Sequence, residues 1–147
     1  MQRLIVIKLF FGLCLFCSST VFTQNINPEN FKSLSIDSTL TWLQENTYSG
    51  NDLDQFHAIA LQSIEKAKGI APDSTKGKLH ESLASWHDYN GLFAQDSTVY
   101  HAEKALAYFK SGTDQKKIAD SYRSLAIDYL NARRNIEAQE VLFKSID

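Results

Sequence analysis

Three features of this 147-residue sequence predict an all-α fold of stacked antiparallel helix pairs. From Leu40 to the C-terminus, apolar residues recur in steps of three and four, which gathers them on one stripe of a helix. No segment shows the sustained polar–apolar alternation of a half-buried strand. The stripes themselves recur about every 40 residues, the mark of a helix-pair solenoid. Composition agrees with a soluble globular domain, at 44 % hydrophobic and 22 % charged residues, with only two prolines and six glycines.

Residues 1–23 read as a secretory signal peptide. Arg3 and Lys8 supply a positive start, Leu9 to Phe22 is uncharged, and small residues follow at Ser18, Ser19 and Thr23. Cleavage falls after Thr23, with Ser19 the competing site. The uncharged run is shorter than the ~20 residues a spanning helix needs, which weighs against an uncleaved anchor. Both cysteines, Cys14 and Cys17, lie inside this segment. Each follows a bulky residue, Leu13 or Phe16, a poor setting for lipidation. Their Cys-x-x-Cys spacing would be lost with the signal, so the exported chain forms no disulfide and relies on packing. Residues 24–36 are polar and read as a linker.

The repeat domain is expected over 37–147. Its first helix carries Leu40 and Leu43 behind a cap at Asp37 or Ser38. The second carries Leu53, Phe56, Ala60, Ile64 and Ala67, with Asp52 and Gln55 as a capping box and Gly69 and Pro72 past its end. The third, capped by Asp73 or Ser74, carries Leu79, Leu83, Trp86 and Tyr89 and stops at Gly91. Val99, Ala102, Leu106 and Phe109 define the fourth, between Asp96 and Gly112. Ile118, Tyr122, Leu125 and Tyr129 define the fifth. The sixth starts at Asn135 and carries Ala138, Val141, Leu142 and Ile146. Short polar turns between them make antiparallel neighbours.

The repetition is visible residue by residue. Ser63-Ile64, Ala105-Leu106 and Ser145-Ile146 occupy equivalent places in the even-numbered helices, and Tyr89 recurs as Tyr129. Small residues at Ala105, Ala126 and Ala138 suit close helix crossings, where a larger side chain would hold the backbones apart.

These residues resemble tetratricopeptide repeats. The best match is Tyr122, Leu125, Ala126 and Tyr129 on a first helix, with Ala138 and Lys144-Ser145-Ile146 on the second. The segment Asp96 to Leu106 is similar to the second helix of such a repeat. The resemblance implies a right-handed superhelix of about two and a half to three repeats. Its longer period is similar to the variant found in bacterial signalling proteins. Trp86 stands where the family favours a small residue, so the middle repeat has to repack there. Arg133 stands where a turn glycine is usual. The stretch from Asp37 to Gly69 reads as a degenerate first repeat. The sixth helix lacks the polar cap of a finished solenoid, so the chain is expected to be truncated and to self-associate through that face.

No phosphate loop, His-Glu-x-x-His pair, calcium loop or nucleophile elbow occurs, so no catalytic residue, cofactor or metal is expected. Fifteen basic against 17 acidic residues give a net charge of −2, which argues against nucleic acid as a partner. His80 and His87 lie two turns apart on one helix face, without a third ligand in place for zinc. What remains is shape. In the family, first helices line a concave groove. Carried over by position, this implies His80, Leu83, His87 and Asn90 from one repeat and Asp120, Arg123, Ile127 and Asn131 from the next. Such a mixed surface suits a protein or peptide ligand better than a metabolite. The expected role is an exported, non-enzymatic binding module, periplasmic or envelope-associated. The alternative is the sensing end of a larger signalling protein, a histidine kinase or transcription regulator, whose output module lies elsewhere. Membrane contact would come only from the signal peptide or from a further C-terminal segment.

Overall fold

A computed structural model describes residues 31, 33–49, 53–91 and 95–145. The signal segment, most of the linker, the cap at Asp52 and the end at Ile146 lie outside the described residues. Among the described residues the chain is all-helical, with no strand. The six helices are α1 (Ile36–Asn46), α2 (Leu53–Ala67), α3 (Asp73–Asn90), α4 (Gln95–Phe109), α5 (Gln115–Asn131) and α6 (Asn135–Phe143). Each packs on the next, and α1 also reaches α3. None of these helices is long and apolar enough to cross a membrane.

Helix ends follow local chemistry, with corrections to the expected caps. At α1 the cap is Ser35, whose hydroxyl accepts the Ser38 N–H at 3.1 Å; Asp37 and Ser38 are already inside the helix. Asp73 does not cap α3 either. Its carboxylate takes Lys76 at 3.0 Å and the Ser111 hydroxyl at 2.9 Å. Asp114 does cap α5, accepting the Lys117 N–H at 2.9 Å. Gly91 ends α3 in the left-handed region at φ 58°, where a Cβ is costly. Arg133 adopts the same conformation after α5, at φ 59°. There the Arg134 N–H reaches back to the Tyr129 carbonyl at 2.8 Å and the Arg133 N–H to Leu130 at 3.0 Å. That is a Schellman turn with arginine in the glycine seat.

Helices α3 and α4 form an antiparallel hairpin. Asp73 meets Ser111 near one end, and His80 meets His101 midway. Gly77 permits their close approach, because a Cβ there would stand 2.6 Å from the Phe109 ring. Helices α3 and α5 run in the same sense. Lys117 at the start of α5 binds Glu81 midway along α3 at 2.7 Å, and Asn131 binds Asp88 near the C-terminal ends of both helices at 3.2 Å.

Two apolar cores result. The first joins α1, α2 and α3 through Leu43, Phe56, Ile59, Leu79 and Leu83, each large side chain worth roughly 1.5–3 kcal/mol when fully buried. Trp86 belongs to this core and stacks on Phe56 with centroids 5.4 Å apart, so the residue out of keeping with the family pattern packs toward α2. The second core joins α3 to α6 through Ala84, Val99, Ala102, Leu106, Leu125, Tyr129 and Ala138. Ala105, Ala126 and Ala138 are all buried. Two stripe positions do not reach a core. Tyr89 is 56 % exposed and meets Tyr48 edge-on, while Leu142 is exposed on α6.

Candidate functional site

A cleft of about 210 Å³ lies between α3 and α5. From α3 it is lined by Glu81, Ala84, Ser85 and Asp88, spaced three, four and seven apart on one face. From α5 come Ser121, Ser124, Ile127 and Asp128. Ala102 and Ala105 of α4 lie beneath, and Tyr48 forms a side wall. Small side chains leave the space open. A wider hollow of about 600 Å³ adjoins it, sharing Asp88 and Asp128 and adding His87, Asp96 and Asn131.

The electrostatics of the cleft are acidic. Glu81 is bridged by Lys117, whose Nζ lies 2.7 Å from each carboxylate oxygen. That ammonium also sits 4.7 Å above the centre of the Phe109 ring, a favourable cation–π placement. Asp88 accepts from Asn131. Asp128 is pushed up to about 6, first by burial and then by the charge of Asp88. A cationic group entering between Asp88 and Asp128 would offset the second cause and favour the carboxylate form.

The eight residues expected in the groove are only partly brought together. Ile127 lines the cleft, and His87 and Asn131 line the adjoining hollow. Leu83 is a correction, being fully buried in the first core. His80 is another, at 7 % exposure beneath a different cavity. Asn90 turns back on its own helix and donates to the Trp86 carbonyl at 2.8 Å. Arg123 and Lys116 both bind Asp120, at 2.8 and 2.7 Å, outside the cleft. Relative to this cleft, the expected face lies mostly one residue out of register, which on a helix is a rotation of about 100°. The spacing that marks the cleft-lining face is present in the sequence. Glu81, Ser85 and Asp88 fall at i, i+4 and i+7, and Ser121, Ser124 and Asp128 at i, i+3 and i+7.

All four histidines form one contiguous group, which spacing alone did not reveal. His57 packs edge-on to His87, His87 stacks over His101 at 5.8 Å, and the Nδ1 atoms of His101 and His80 are 2.9 Å apart. Burial holds His80 down to about 4 and His101 to about 3, and lowers His87 as well. Neighbouring positive charge adds to the effect, Lys104 and Lys68 at His80. The His87 Nδ1 is buried without a hydrogen-bond partner among the described residues. Among the described residues no three His, Cys, Asp or Glu side chains are placed to hold a metal ion.

No known protein family, curated protein or solved structure matches this chain. The tetratricopeptide resemblance has no support from these comparisons.

Proposed function

We propose that this chain is an exported, non-catalytic helical-repeat module that holds an extended peptide between α3 and α5. The cleft between these two helices carries the reading. Its floor is small side chains, its helices share one direction, and its open carboxylates are Asp88 and Asp128. The same-sense pairing of α3 and α5 supports a tetratricopeptide-like solenoid, in which first helices line the concave side. A floor of alanine and serine lets a backbone lie close to the helices, and the acid rim selects Lys or Arg side chains by charge complementarity. Residues 1–23 deliver the module to the periplasm or envelope.

The test is selection from a displayed random-peptide library on the full chain. Enriched peptides should carry basic residues and lose binding to a Ser124→Trp variant that keeps its helical circular dichroism. Undiminished binding to that variant, or no enrichment at all, would remove the cleft from consideration.

A further inference from the structure

A third cavity, of about 450 Å³, opens between α2 and α4 and uses neither Asp88 nor Asp128. Leu61 and Ile64 of α2 give it an apolar wall. Lys68, just past α2, and Lys104 of α4 bring two ammonium groups to it, with the Tyr100 and Tyr108 rings beside them. At its base are His80 and His101, only 7 % and 8 % exposed.

The base has an unusual donor arrangement. The two imidazoles spend their Nδ1 atoms on each other, and neither Nε2 has a hydrogen bond among the described residues. In the neutral pair one Nδ1 donates and the other accepts, so only one Nε2 carries a proton. One added proton gives both Nε2 atoms an N–H while keeping the Nδ1 bond. The pair then becomes a cationic two-donor clamp.

The charged surroundings come from every packed element. Glu65 of α2 bridges Lys68 at 2.5 Å. Lys104 lies 5.6 Å over the Tyr100 ring and makes no ion pair among the described residues. Lys76 of α3 stands over Tyr108 but is held by Asp73. His87 and His57 continue the chain of rings behind His101. Lys68, Lys104 and Glu65 together leave one positive charge, and the extra imidazole proton makes two.

We propose that this cavity binds an organic phosphate monoester, head group among Lys68, Lys104 and the two Nε2 atoms, apolar body against Leu61 and Ile64, with uptake of one proton by the His80–His101 pair. A dianion matches the charge of the protonated cavity, and a tetrahedral head group can meet donors arriving from three helices. In the empty cavity burial and the facing lysines keep His80 neutral. The ligand's charge reverses the second of these.

Phenyl phosphate is the probe, titrated into the full chain by calorimetry in two buffers of different ionisation enthalpy, with the imidazole resonances followed by NMR. Binding should be saturable, take up a proton, and tighten from about pH 8 to about pH 6.5, where the ester stays largely dianionic. Lys104→Gln, an exposed site, should weaken it about tenfold or more, in keeping with loss of a charge-assisted bond. Inorganic phosphate and benzoate should each bind about tenfold more weakly. No saturable shift would overturn the site, and unchanged affinity in Lys104→Gln would overturn its placement. Equal affinity for inorganic phosphate would overturn the apolar wall, equal affinity for benzoate the tetrahedral head group, and absence of proton uptake the histidine clamp.

Discussion

Where α1, α2 and α3 meet, Leu43, Phe56, Ile59, Leu79 and Leu83 are closed off from solvent. Where α5 and α6 meet α4, Ala102, Ala105, Ala126 and Ala138 are buried among Leu106, Leu125 and Tyr129, and Ile136, Leu142 and Phe143 of α6 stay exposed. Polar links do more of the holding in this second region. Lys117 grips Glu81, Asn131 grips Asp88, and the Tyr129 hydroxyl donates to Glu103. Large interlocking side chains fill the space between α1, α2 and α3. Small ones let helices approach while leaving a gap at the surface. The tightest packing and the cleft between α3 and α5 thus lie in different parts of one chain.

The sharpest way to break this comparison is to truncate one residue in each region. Phe56→Ala should cost about 3–5 kcal/mol in urea unfolding, as expected for a buried aromatic. Val141→Ala, half-buried on α6, should cost about 1 kcal/mol. Equal losses would mean that the two cores are equally tight.

Acid should act next, and it acts where the regions join. Burial lowers His80, His87 and His101, so below pH 6.5 the unfolded chain binds protons that the folded chain refuses. Stability should fall as pH drops from about 6.5 toward 4, by roughly 1 kcal/mol per pH unit for each of His80 and His101, with His87 acting in the same direction. Asp128 works the other way, because its raised value favours the folded state as pH falls through about 6. Three histidines against one carboxyl leave a net loss. Thermal melts across this range check it, and a flat profile would show that the histidines titrate alike in both states.

The smallest effect lies in the α5–α6 turn. Arg133→Gly should stabilise the chain by about 0.5–1 kcal/mol, since glycine occupies φ 59° without the Cβ penalty. The same thermal melt reads it. A loss would point instead to an arginine side-chain contact in the second region.

Much of the fold was legible in the sequence because helix stripes depend on local spacing. Leu43, Phe56, Leu79 and Leu125 were placed in stripes and are buried. Arg133 was recognised as the odd residue in its turn. The site was less legible because a groove depends on how far each helix rotates about its axis. One residue of register separates Leu83, in the core, from Ala84, lining the cleft. Only the packing of α5 against α3 gives Lys117 its partner Glu81, 36 residues away in sequence. The histidine group needed three helices to assemble, so no local spacing could announce it.

Gly77 shows how little material can govern such a surface. The Phe109 ring rests on the bare turn of α3 that this residue provides. Lys117 rests on the ring in turn and reaches over to Glu81. One methyl group on that turn would lift the ring, and with it the beginning of α5. The spacing between α3 and α5 is gauged by an atom the chain omits, three turns away from Asp88.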